Sequence, residues 1–255
     1  NSAAKWHYMF GGKKNVPITI RLIVGRGWGQ GPTHSQSLHS WFAHIPGLKV
    51  VMPTSPSDAK GLLLSSIFDK NPVIFIEHRW LHNLEGYVEK KDYRIDIGKP
   101  KTVCNGKDIT IVSMSYMTIE ALRAIKVLNE FGIQCSLIDL RTISPLDYSP
   151  IYRSLKKTGR LMVLDIGNSN VSISSEIVSK ISIKFHNKLK APPIVLGLPN
   201  APVPTSFGLT KDFYPDAKKI TKEVLSLFKI KKNLKNYFPT QKFHDIPGEW
   251  FKGPF

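Results

Sequence analysis

Cysteine is almost missing from this chain: Cys104 and Cys135 are the two in 255 residues. Two thiols do not staple a fold of this size, so the fold rests on an apolar core and suits a reducing compartment. They lack the C-x-x-C spacing, which excludes the thiolate zinc sites built on it. No run reaches the ~18–20 consecutive apolar residues of a membrane-spanning helix. No secretory signal opens the chain, and it starts Asn1-Ser2-Ala3-Ala4-Lys5 without methionine, so an upstream segment is expected. Acidic residues are scarce too, 19 Asp and Glu against 36 Lys and Arg, for a formal net charge of +17. A field of that sign attracts nucleic acids, anionic lipids and phosphorylated ligands. The lysines are scattered, with local density at Lys13-Lys14, Lys156-Lys157, Lys218-Lys219 and from Lys229 to Lys235. Neither aromatic–basic interleaving nor a helix-turn-helix signal accompanies them, so nucleic acid is not the expected partner.

What is present is an alternation of strand and helix signals, the mark of a parallel α/β architecture. The first half reads as strands over 16–24, 47–53 and 71–78. Helices are expected over 35–45 and 55–69, the second with Ser57 as cap and Asp58 at its positive end. Residues 79–108 have no sustained period and read as a connection with a turn at Asn105-Gly106. A domain boundary near residue 95 divides the chain into 1–94 and 95–228. The second half restarts with strands over 108–115, 133–143, 160–167 and 193–199. These alternate with helices over 118–132, 147–159, 171–187 and 216–232, which predicts one three-layer domain with right-handed crossovers. The remainder, 229–255, reads as a basic and aromatic tail lying extended on a surface.

One short stretch carries chemistry: GQGPTHSQ, residues 29–36. Gly25, Gly27, Gly29 and Gly31 follow a strand, Pro32 stiffens the approach, and Thr33 and His34 lead into a helix. The carboxyl end of a parallel strand is where α/β proteins place ligands. Glycines there let backbone come close, and a histidine there gives or takes a proton near neutral pH. The plainer reading of His34 is a solvated residue or a helix cap. The spacing G-x-G-x-G-x-G is neither the dinucleotide fingerprint nor a P-loop.

The stretches NSAAKWHYMFGGKKNVPITIR and THSQSLHSWFAHIPGLKVVMPTSPSDAKGLLLSSIFDKNPVIFIE resemble the beta subunit of thiamine-diphosphate-dependent 2-oxo acid dehydrogenases of the pyruvate and branched-chain type, in the transketolase superfamily. IGKPKTVCNGKDITIVSMS, LIDLRTISPLDYSPIYRSLKKTGRLMVLDIG and SSEIVSKI continue the match, which covers about residues 1–228, and GPTH is shared with transketolases. The resemblance implies an α/β fold: part of a thiamine-diphosphate pyrimidine-binding domain, then a transketolase C-terminal-like three-layer domain. It implies an oxidoreductase subunit that is inactive alone. His34 is then the catalytic residue, facing the thiazolium and hydrogen-bonding the substrate carbonyl oxygen or carboxylate, with Gln30 and Thr33 in the substrate loop. Potassium is implied at backbone carbonyls of Ile18, Ser66, Ile67, Asp69 and Asn71. Thiamine diphosphate with Mg2+ is shared with an alpha subunit carrying a GDG…N motif. The assembly is an α2β2 heterotetramer dimerised through the C-terminal domain, in the cytoplasm or, in a eukaryote, an organellar matrix.

The chain also departs from that family. The glutamate that activates the cofactor belongs upstream of Asn1, and Glu77 and Glu85 fall in other segments. Gln30 stands where sugar-transferring relatives have an aspartate, which favours a 2-oxo acid over a ketose. DIGNSNVSISSEI differs from the family's usual run there, leaving contact with a lipoyl acyltransferase open, and GEWFKGPF extends past the usual end. Two alternatives stay open: a split transketolase or deoxyxylulose-phosphate-synthase-like enzyme of two-carbon transfer, and a non-catalytic scaffold subunit.

Overall fold

A computed structural model of the chain describes residues 1–25, 29–210 and 212–238. The first part runs α1 (Ser2–Met9), β1 (Thr19–Val24), α2 (Gly31–His34), α3 (His39–Ala43), β2 (Lys49–Val51), α4 (Pro56–Ile67) and β3 (Val73–His78). β3 lies between β1 and β2 and parallel to both. Its alternate residues serve two cores, as the period of a strand dictates. Val73 and Phe75 meet Leu62 of α4, while Ile74 and Ile76 join the large core shared with the second part.

The second part runs β4 (Lys101–Cys104), β5 (Ile109–Ser113), α5 (Tyr116–Glu130), β6 (Cys135–Asp139), β7 (Thr142–Ser144), α6 (Ser149–Thr158), β8 (Leu161–Asn168), α7 (Ile173–Phe185), β9 (Ile194–Leu198), α8 (Phe207–Thr210) and α9 (Ala217–Leu227). Its sheet has the order β4-β6-β5-β8-β9, parallel except for the antiparallel edge strand β4. β5 and β6 are buried along their whole length, as central strands covered on both faces are. α5 and α9 pack together on one face, and α6 and α7 meet on the other, where the Tyr152 and Phe185 rings lie 5.6 Å apart. The alternation in the sequence thus builds an α/β fold of the expected class.

Several elements differ from the sequence expectation. The strand expected over 133–143 is two: β6 stops at Asp139, Arg141 turns at φ +55, and β7 pairs antiparallel with β2 in the other sheet. The Asp139 carboxylate holds the turn by accepting the Arg141 N–H at 3.2 Å. The helix expected over 35–45 is shortened to α3, and the short helix α2 lies in the glycine-rich stretch read as a loop. Ser55, not Ser57, caps α4, accepting the Asp58 N–H at 3.1 Å. Pro56 explains this, since it holds its predecessor extended and itself fits the first helical position. α9 ends at Leu227 because Lys229 turns left-handed (φ +58) and the Ile230 N–H closes on Leu225 O at 2.9 Å. A 3-10 turn (Arg79–Leu81) and β4 lie inside the expected connection, and α1 and α8 were not anticipated. Most of the tail expected over 229–255 lies outside the described residues, as do Arg26, Gly27 and Trp28. Among the described residues no helix is long and apolar enough to cross a membrane.

Candidate active site

β1 and β3 end side by side, Val24 opposite His78. The floor beneath those ends is aromatic. The buried His78 ring stacks on Tyr116 at 4.9 Å between centroids, and Trp80 meets Tyr116 edge-on at 5.0 Å. His78 Nδ1 accepts the Trp80 N–H at 3.2 Å, which fixes the start of the turn after β3.

Above this floor sits the glycine-rich stretch. Gly31 has φ +69, and a Cβ there would stand 2.6 Å from Thr205 Oγ1; one on Gly29 would stand 2.9 Å from Thr205 O. The stretch is glycine-rich because the second part of the chain presses against it. His34 closes α2 with its side chain exposed, beside an equally exposed Thr33. Gln30 precedes α2 with helical backbone angles, so Gln30 and His34 stand four residues apart on one face of the turn.

Gln30 is not alone. Its Oε1 accepts a hydrogen bond from Arg79 Nη1 at the end of β3. Burial pushes the Arg79 guanidinium below its usual value, and its Nε is sealed from solvent without a partner. Among the described residues Arg79 makes no salt bridge; its hydrogen bond goes to a neutral amide. A partly desolvated guanidinium without a counter-charge is a receptor for carboxylate or phosphate. Sequence reasoning missed Arg79 by assigning it to a connection. Its place one residue past a buried parallel strand was the available signal.

A cavity of about 270 Å³ opens at the end of β3 and the segment after β2, lined in part by Thr54, Ser55, Glu77, His78 and His82. Glu77 is held by Arg21 through two hydrogen bonds of 2.8 and 3.0 Å, so its carboxylate is occupied. Glu85 lies exposed beyond the 3-10 turn.

The transketolase pyrimidine-binding domain matches residues 1–83, and the transketolase C-terminal domain matches residues 98–220. The acetoin:2,6-dichlorophenolindophenol oxidoreductase subunit beta of Cupriavidus necator is 43% identical over 220 residues, 86% of this chain and 65% of that protein. The pyruvate dehydrogenase E1 component subunit beta of Rickettsia bellii is 37% identical over 231 residues, 91% of this chain and 71% of that protein. The chain belongs to this family of E1 component beta subunits. The mitochondrial member of Bos taurus is 38% identical over 239 residues, 92% of this chain and 65% of that protein. Among solved structures, a split-gene transketolase titled an inactive beta4 tetramer shares the fold. Its TM-score is 0.67 at 17% identity, covering 91% of this chain and 75% of that one. The chain spans 65% and 66% of the two acetoin-oxidoreductase beta subunits that it matches.

In this beta-subunit-family chain the residues expected at potassium lie around the start of β1 and the end of α4. β1 begins just after Ile18, α4 ends at Ile67, and the Thr19 hydroxyl donates to Ser66 O at 2.8 Å. Ile18 O accepts the Val73 N–H at 2.9 Å. The Asp69 carboxylate takes Lys49 Nζ at 2.5 Å and the Asn71 N–H at 2.9 Å. Asn71 Oδ1 is buried without a hydrogen-bond partner, an oxygen of the kind a monovalent cation takes. Helix-terminal carbonyls carry partial negative charge of the kind a cation takes.

Proposed function

We propose that this chain is the beta part of a thiamine-diphosphate-dependent oxidoreductase that decarboxylates a 2-oxo acid and passes the acyl or hydroxyalkyl unit to an acceptor. One observation carries the reading: exposed His34 and the Gln30–Arg79 pair stand together at the carboxyl ends of β1 and β3. In this reading the Arg79 guanidinium and the Gln30 amide bind the substrate carboxylate. The His34 imidazole hydrogen-bonds the carbonyl oxygen, stabilises negative charge as it develops there, and returns a proton to it. Pro32 and the contacts with Thr205 hold His34 in place, which lowers the cost of ordering it around the substrate.

Thiamine diphosphate, when bound, supplies the nucleophilic carbon and the electron sink. The residues at the strand ends fit the substrate side of that cofactor. Glu77, the carboxylate at the end of β3, is already held by Arg21 and in this reading is not the group that activates it. An alpha subunit with a GDG…N motif supplies Mg2+ and the diphosphate site in an α2β2 assembly, with beta subunits joined through their C-terminal parts. Potassium sits at the end of α4. The enzyme works in the cytoplasm or, in a eukaryote, an organellar matrix.

Arg79 also favours a second reading, because a guanidinium without a carboxylate partner takes a phosphate equally well. That reading is two-carbon transfer between phosphorylated sugars. The test is the full-length protein, reconstituted with its alpha partner and thiamine diphosphate, given a panel of 2-oxo acids and of ketose phosphates. Release of carbon dioxide from a 2-oxo acid is expected. Turnover of ketose phosphates alone would replace the first reading by the second, and turnover of neither would leave a scaffold.

A further inference from the structure

We propose that His39 and Asp165 are positioning residues: a buried, hydrogen-bonded imidazole–carboxylate pair through which the second part of the chain fastens the segment carrying His34. The inference rests on the reading of His34 as the residue that meets the substrate. His39 opens α3, five residues after His34, and is 1% exposed; Asp165, on β8, is fully buried. His39 Nε2 donates to Asp165 Oδ1 at 2.8 Å. The carboxylate is itself held, its Oδ1 by the Gly167 N–H at 2.9 Å and its Oδ2 by the Ser174 hydroxyl at 2.9 Å. Burial alone would push the Asp165 carboxyl up. The charge on His39 and these hydrogen bonds outweigh that and hold it below its usual value.

The seat is shaped for the ring. A Cβ on Gly167 would stand 2.8 Å from His39 Cε1, so only a glycine lets the imidazole in. Among the described residues His39 Nδ1 has no hydrogen-bond partner, which leaves Asp165 as the polar group there that orients the ring. The neighbouring Ser40 Oγ accepts the N–H of Ile173, the first residue of α7, at 3.0 Å. α3 therefore reaches the second part through two adjacent residues. Gly29 and Gly31 press on Thr205 at the other end. Between these fastenings α2 and α3 have four and five residues, too short to hold a shape unaided.

A buried pair of this kind adds little net stability but tolerates no second arrangement, because moving the imidazole away leaves the Asp165 carboxylate short of a partner in the interior. Its effect is to fix one position for the backbone of residues 29–40, with His34 midway. His39 is sealed from solvent and touches no reacting atom, so it acts through His34.

The test uses the full-length protein with its alpha partner. In His39→Leu, kcat is expected to fall by about tenfold to a hundredfold, the scale of a misplacement of about 1 Å, with KM nearly unchanged. His39→Gln keeps an N–H that can reach Asp165 and should recover most of the loss. In a His34→Ala background, His39→Leu should cost nothing further. Hydrogen exchange of residues 29–41 should quicken in His39→Leu while β5 and β8 stay protected. Equal losses in both backgrounds, or unchanged exchange with turnover kept, would overturn the proposal. If His39→Leu does not fold, His39→Gln and Asp165→Asn carry the same comparisons. If His34→Ala alone leaves turnover intact, the proposed function fails, and the exchange of residues 29–41 still judges the fastening.

Discussion

Arg141, on the link between β6 and β7, donates from Nη1 to Asp58 Oδ1 at 3.0 Å, tying the turn after β6 to the first turn of α4. The Ser55 hydroxyl takes the other oxygen of Asp58 at 2.6 Å, Lys101 Nζ lies 3.4 Å from it, and Arg141 Nη2 also bonds Lys99 O at 2.7 Å. Both members of the pair are largely buried. Removing one partner leaves the other charge in the interior, at a cost of about 3 kcal/mol. Arg141→Met should therefore lower stability by about that amount in denaturant unfolding. A loss near zero would show that the pair does not join the two sheets.

The same junction makes stability depend on pH in two directions. Burial pushes the Asp58 carboxyl up, but the bonds from Ser55 and Arg141 and the charges of Lys101 and Arg141 outweigh it and leave it below its usual value. Its contribution is complete above the ordinary carboxylate range and is lost as the pH falls through the lowered folded value. Asp139, fully buried, goes the other way. Burial first, and the charge of Asp58, push it up to about 7, while the Thr54 hydroxyl and Arg141 hold it back. Its contribution is complete below the ordinary value and is lost as the pH rises through about 7. Asp139→Asn should thus gain melting temperature relative to the parent as pH goes from about 5 to about 8. Parallel curves would place the titration elsewhere.

Arg79 is the residue on which recognition of an anionic substrate rests in the proposed function. A charge-assisted hydrogen bond contributes about 1.5–3 kcal/mol, so Arg79→Gln should raise KM about tenfold or more. Turnover at saturation should change less, because the contact is made in ground and transition states alike. An unaltered KM would remove Arg79 from the substrate site.

The potassium expectation has a thermal consequence. An ion that binds the folded chain and not the unfolded one raises the melting temperature with its concentration. Replacing potassium chloride by tetramethylammonium chloride at equal ionic strength should lower it. No difference would argue against a cation at the end of α4.

How far these features could be read from the sequence differs from one to the next. β5, α5 and β8 were legible, because apolar runs and an amphipathic period are local. His34 was legible through the glycines and proline before it, which follow a strand. The switch of β7 to the other sheet was not, since LIDLRTI is one continuous β-rich run and its break at Arg141 depends on partners in α4 and at Lys99. The shortening of the helix expected over 35–45 to α3 was hidden in the same way. Its cause lies in His39 and Ser40, whose partners Asp165 and Ile173 are more than a hundred residues away. Arg79 needed Gln30 to give it meaning, and that pairing arises only when β1 and β3 end together.

The most direct measurement is the turnover of His34→Ala in the reconstituted complex, set beside its affinity for thiamine diphosphate. The expected result is a fall in kcat of about a hundredfold or more with cofactor affinity nearly unchanged, because the proposed function sets His34 against the substrate and not the cofactor's anchoring groups. Turnover equal to the parent's would contradict the account of the site.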